Sequence, residues 1–224
     1  MSGSRRLYLL TLGLIALLAL TASGCGADDD SGGEAAAKSG TSTDRAFLEA
    51  MTPHHESAVA MTDVAADRAE SPEIKEIASG IAEAQQPEIK QMQDIHQRLF
   101  GTPLVPNPGA HEELGLTPEE AGAGHDDAAL KLKDANPFDR AFVDEMVPHH
   151  QGAIRMAEVV VAKTADGEVR ELAQGIIDTQ KQEIEKMNAF RTREYGGPVP
   201  GSEDPAGGAM PEEDGGEHGG GHSG

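Results

Sequence analysis

With 224 residues the chain has room for one compact domain, or two small ones, plus tails. Aromatic residues make up 3% of it and Trp is absent, so its core must be aliphatic with Ala and Met, which suits a helical bundle better than a sandwich or barrel. A formal net charge of −21 argues against nucleic acid as a partner and favours cations, although most of that acidity serves solubility.

The first residues, MSGSRRLYLLTLGLIALLALTASGCGADDD, place Arg5 and Arg6 before an apolar run from Leu7 to Leu20, then small residues and a cysteine. These are the parts of an export signal. The run is shorter than the ~20 residues that cross hydrocarbon. TASGC resembles the bacterial lipoprotein signal, with Ala22 where that signal usually has Leu. The resemblance implies removal of residues 1–24, lipidation of Cys25 and a membrane anchor on the extracytoplasmic face. SRRLYL more loosely resembles a twin-arginine signal. Losing residues 1–24 removes two arginines and no acid, which takes the net charge from −21 to −23. Cys25 is the only cysteine, so the mature protein has no disulfide and no thiolate metal site. Residues 25–43 read as a flexible tether of Gly, Ser, Ala and acids.

Two helical regions follow, 44–100 and 139–195, and they are copies. At an offset of 95 residues, 44–61 and 139–156 share 10 of 18 positions, and 73–92 and 168–187 share 9 of 20, which establishes duplication. In the first helix Phe47, Met51, His54, Ala58, Met61 and Ala65 step at helical spacing, and the copy gives Phe142, Met146, His149, Ala153, Met156 and Val160. A breaker at ESPE or ADGE precedes a second helix through Ile74, Ala78, Ile81, Gln85, Glu88 and Met92, copied as Val169, Ala173, Ile176, Gln180, Glu183 and Met187. Two helical hairpins with complementary apolar stripes predict an all-α four-helix bundle over 44–195. The joining segment, 101–138, starts Pro-rich, is long for a loop, and is expected to hold a short helix near Asp126 to Lys133. Its His111 and His125 carry no further signal. Residues 196–224 form an acidic Gly-rich tail that cannot bury a core; His218 and His222 belong to it, as linker or as a weak cation-collecting arm.

Pro53 and Pro148 admit two readings. Each is the first residue of a helix, with Thr52 as cap in the first copy, or each lies in a continuous helix and frees the carbonyl of Glu49 or Asp144. Val147 caps poorly, which favours continuity.

Glu88 and Gln85 fall on core positions, where an ionised carboxylate needs a partner. If the hairpin turns near residues 70–71, antiparallel neighbours sum to about 141. That sets His54 and His55 level with residues 86–87 and Met51 with residue 90, since each helix rises ~1.5 Å per residue. Met51, His54, His55, Glu88 and Met92 therefore gather at one level as candidate metal ligands, Glu88 (and Glu183 in the copy) either orienting the histidines or binding directly, with Gln85 beside them. The copy predicts Met146, His149, His150, Glu183 and Met187 with Gln180. Met61 and Met156 lie roughly 10 Å further along the axis and belong to the surroundings of the site or to a separate one. His96 follows Met92 by four and is a further candidate, although its copy is Arg191.

A Met and His cluster in an exported protein points to copper: thioethers select Cu(I), and imidazole accepts Cu(I), Cu(II) or Zn(II). A di-iron site would need Glu-x-x-His, and none stands on the bundle stripes. The plain alternative is a structural or partner-binding helical lipoprotein whose His and Glu networks fix packing, with Met as core filler. A redox enzyme is a third reading, without a recognisable nucleophile, cofactor loop or substrate pocket.

The pattern Phe, Met-x-Pro-His-His, Ala, Met, followed by Gln-x-x-Glu-Ile-x-x-Met, resembles the exported bacterial family called "domain of unknown function 305" over 44–100 and 117–195. The resemblance implies a ferritin-like four-helix bundle and, from members linked to copper binding and resistance, copper held by Met and His side chains. The partners expected are thus a metal ion and, through Cys25, a membrane. Whether the two half-sites merge stays open at this point.

Overall fold

The computed structural model describes residues 40–123 and 127–202. The export signal, Cys25, most of the tether, His125 and the tail beyond Ser202 lie outside the described residues. Thr41 starts the first helix, α1 (Ser42–Arg68): its hydroxyl accepts the Asp44 N–H at 3.1 Å and the Asp44 carboxylate accepts the Thr41 N–H at 2.8 Å. α1 runs unbroken through Pro53. The Thr52 hydroxyl donates to the Leu48 carbonyl at 2.8 Å, so Thr52 lies inside the helix and caps nothing. The Glu49 carbonyl, released by the proline, accepts the Asn107 N–H at 2.9 Å.

Three residues turn the chain into α2 (Pro72–Phe100), where Ser71 caps and Pro72 takes the first position, whose N–H would be unsatisfied in any residue. The linker then forms a short 3-10 helix (Pro108–Leu114) and α3 (Ala128–Asp134). The second hairpin comprises α4 (Phe138–Lys163), unbroken through Pro148, and α5 (Gly167–Tyr195). α2 and α5 end on equivalent glycines, Gly101 and Gly196, at φ +68° and +85°, the left-handed geometry of a helix stop. Among the described residues every element is helical, and no helix is long and apolar enough to cross a membrane.

Within each hairpin the helices pack along their length, α1 also packs on α4, and α2 packs on α5. Arg68, the last residue of α1, donates to the Ala135 carbonyl at 3.0 Å, just before α4 begins, and Asp139 accepts the N–H groups of Glu70 and Ser71 at 3.0 and 2.8 Å. α1 and α4 are therefore antiparallel. α2 and α5 are too, because Arg98 near the end of one pairs with Asp166 and Glu168 at the start of the other, at 2.8 Å each. α2 ends at the opposite end of the bundle from where α4 starts. The linker thus has to climb about 40 Å, the length of a 29-residue helix. It does so over α1, which makes this the single long crossover of a ferritin-like four-helix bundle.

The expected apolar stripes are the core. Phe47, Met51, Ala58, Met61, Ile74, Ile81 and Met92 are buried, as are Phe142, Met146, Ala153, Met156, Val169, Ile176 and Met187. Each large side chain contributes about 1.5–3 kcal/mol by leaving water. Leu would contribute as much as Met, so burial alone does not account for the methionines.

Candidate metal centre

His55 on α1 and Glu88 on α2 meet with Nε2 and Oε2 2.8 Å apart. A carboxylate accepts, so the neutral imidazole donates from Nε2 and carries its lone pair on Nδ1. That Nδ1 is buried and has no hydrogen-bond partner among the described residues. The second copy repeats this at the same distance: His150 Nε2 meets Glu183 Oε2 at 2.8 Å and leaves Nδ1 buried and unbonded. Leaving such an acceptor unmatched costs about 1–3 kcal/mol, and the protein does so twice. A carboxylate that fixes one ring nitrogen and frees the other is the arrangement in which metal-binding imidazoles are held. Glu88 and Glu183 thus orient the rings.

The contacts within the first hairpin sum to 143 for His55 with Glu88 and 144 for Thr52 with Met92, whose hydroxyl and sulfur lie 3.7 Å apart. The register is two to three residues beyond the expected 141, which keeps Glu88 and Met92 within one helical turn of the predicted level.

His54 and His149 meet between the hairpins, with ring centroids 3.7 Å apart and planes inclined by 33°. They are copies of one another. Arg98 binds Glu168 at 2.8 Å while Arg193, the copy of Arg98, binds Glu73, the copy of Glu168, at 2.6 Å. Such reciprocal contacts define a two-fold relation, and a residue that touches its own copy lies on the axis. Four imidazoles consequently form a row through the bundle: His55, His54, His149 and His150, with the outer centroid separations 6.4 and 6.3 Å. Glu88 and Glu183 close its ends. The two half-sites meet at the His54–His149 pair.

Met51, Met92, Met146 and Met187 are fully buried in the same core. Gln85 and Gln180, 1% and 2% exposed, have neither amide atom hydrogen-bonded among the described residues. No three His, Cys, Asp or Glu side chains among the described residues are arranged to hold an ion. The potential donors buried together in this core are imidazoles and thioethers, a set that suits a soft ion.

A cavity of about 20 Å³ opens between the linker and the central imidazole pair, lined by His54, His149, Met156, Pro53, Gly122 and His111. Met156 and His111 join the central pair in this lining. Met156 lies far along α4 from His149, yet it borders the same cavity as both central histidines. His111, which carried no signal in the sequence, is 5% exposed and lines it from the 3-10 helix. His96 stands outside the row with both nitrogens engaged, Nδ1 at 2.9 Å from the Thr102 carbonyl and Nε2 at 3.4 Å from Glu49. Its copy Arg191 binds the equivalent pair, Asp144 and the Gly197 carbonyl. Both pin the chain that leaves the second helix of the hairpin to an acid on the first. Met61 is fully buried in the core.

The family described as domain of unknown function 305 (DUF305) matches residues 44–191. CopM in its Cu(I)-bound form is 34% identical over 68% of this chain and 98% of its own, with a TM-score of 0.57. Other forms of CopM hold Cu(II) or silver. A DUF305 fragment from Deinococcus radiodurans is 25% identical over 69% of this chain and 99% of its own, at a TM-score of 0.57. A DUF305 protein of Streptomyces coelicolor is 25% identical over 67% and 93%, at 0.61. An uncharacterized protein of Acanthamoeba polyphaga mimivirus is 39% identical over 52 residues, 23% of this chain, and the chain spans 34% of that curated relative's length.

Proposed function

The chain belongs to the DUF305 family, and from that premise we propose that it is an exported, lipid-anchored protein that binds copper in its helical bundle and sequesters it or hands it on. The observation that carries this reading is the pair of buried Nδ1 atoms on His55 and His150, each left unbonded by a carboxylate that fixes the other ring nitrogen. Met51, His54, His55 and Met92 would hold metal in one half, and Met146, His149, His150 and Met187 in the other. Glu88 and Glu183 keep the outer imidazoles in the binding tautomer. The thioethers set the preference for Cu(I) over harder ions. That CopM carries Cu(I), Cu(II) or silver in a bundle of 34% identity supports the same choice. Anchoring through Cys25 belongs to this reading; Cys25→Ser would then release the protein from the envelope fraction.

Competition with a Cu(I) chelator tests the proposal. The purified protein should withdraw Cu(I) from the chelator, and the variant with His54, His55, His149 and His150 changed to Ala should not. Equal competition by both would end it.

The His–Glu bonds tie α1 to α2 and α4 to α5, which also favours the reading in which these groups only set packing. Thermal unfolding separates the two. A metal site adds stability with Cu(I), about 4 kcal/mol at a thousandfold excess over Kd. A packing network responds identically with and without the metal.

A further inference from the structure

We propose that the linker builds a separate soft-cation site on one face of the bundle, with His111 Nε2 and Met156 as donors against the His54–His149 pair; this rests on the soft-metal reading above. His111 Nδ1 lies 2.6 Å from the Pro108 carbonyl. A carbonyl only accepts, so Nδ1 holds the proton and Nε2 presents a lone pair. That Nε2 is buried and finds no hydrogen-bond partner among the described residues. The cavity beside it, about 20 Å³, has room for one water or one ion.

The lining sets the imidazoles of His54, His111 and His149 and the Ser57 hydroxyl beside Met156 and the apolar Ala50, Pro53 and Ala121, so imidazole and thioether donors border one small space. A d10 monovalent ion is satisfied by an imidazole nitrogen and a thioether.

The linker is also seated by contacts that do not involve His111. Asn107 N–H binds the Glu49 carbonyl at 2.9 Å and Arg155 Nε donates to the Glu120 carbonyl at 2.5 Å. A Cβ on Gly122 would lie 3.0 Å from the His149 carbonyl and 3.2 Å from His54 Nε2, so the chain is laid directly on the central pair. The linker occurs once in a twice-repeated structure. The site is therefore single, unlike the paired His–Glu units.

Silver(I), a redox-inert probe of the same softness, is titrated into the full chain, with bound ions counted by native mass spectrometry and imidazole nitrogens followed by 15N NMR. His111→Ala and Met156→Leu should each bind one ion fewer than the parent while the remaining ions bind unchanged, and His111 Nε2 should shift on loading. If both variants bind as many ions as the parent with equal affinity, or if the His111 nitrogen does not move, the cavity holds water only and the proposal is overturned. If the parent binds no silver, the soft-metal reading itself falls, and this site with it.

Discussion

His54 and His149, copies of one another 95 residues apart, meet with ring centroids 3.7 Å apart on the axis that relates the two hairpins. Because each belongs to a different half, changing either should disturb both. His54→Ala, His149→Ala and the double variant form a cycle in which Cu(I) affinity should be non-additive, with coupling of about 0.5–3 kcal/mol. Additive losses, measured by chelator competition, would mean that the halves bind independently.

Glu88→Gln and Glu183→Gln keep shape but remove the acceptor-only group that assigns the proton on His55 and His150. Each change should weaken Cu(I) binding by about 10–100-fold and leave the helical circular dichroism intact. Unchanged affinity would show that the carboxylates do not prepare the rings.

Asp166 caps α5 through the N–H groups of Glu168 and Val169 at 3.1 Å and takes two bonds from Arg98, at 2.8 and 3.1 Å. The Arg98 hydrogen bonds hold its carboxyl below the usual range, against the opposing effect of burial and with help from the backbone donors. A depressed pKa gives stability that is complete above the unfolded value, about 3.9, and is lost as pH falls through the lower folded value. Asn caps as well as Asp, so Asp166→Asn isolates the pairing with Arg98. Urea unfolding should place the variant about 1 kcal/mol below the parent near pH 7. The gap should start to shrink below pH ~4 and close only once pH has passed below the depressed folded value; a gap that does not shrink there would exclude this origin.

Gly152 faces the linker, and a Cβ there would stand 2.3 Å from the Ala121 carbonyl oxygen and 2.4 Å from Gly122 N, both backbone atoms. Its copy is Ser57. Installing that residue, Gly152→Ser, should push the linker off α4 and lower stability by about 1–3 kcal/mol. Hydrogen exchange should then rise at 107–122 before it rises in α2 or α5. Uniform protection would mean that the linker is not seated by this contact.

The hairpins and their internal partners were legible because the information is local and written twice. Helical period marked the buried faces, and turn position placed Glu88 opposite the histidines to within one helical turn. Which hairpin face meets the other was not legible, since every stripe is apolar and several pairings bury it equally well. His54 against His149 and the approach of Met156 to that pair depend on that choice. His111 lacked any periodic context, and only the path of the crossover brings it inward. His96 did leave a trace: its copy is arginine, a donor that cannot ligate, and donation is the property the two positions share.

The antiparallel relation of α1 and α4 has a consequence for how the chain can be cut. The end of one hairpin and the start of the next lie at opposite ends of the bundle, so a connection much shorter than the helices cannot close within one molecule. A chain with its crossover reduced to a few residues could complete the same four helices only by exchanging hairpins with a second chain, as a domain-swapped dimer. The pieces required for that dimer already match, because Arg98 with Glu168 and Arg193 with Glu73 form the same contact in both directions. The crossover is therefore what lets one chain close the four helices by itself, and its length is set by the architecture it spans.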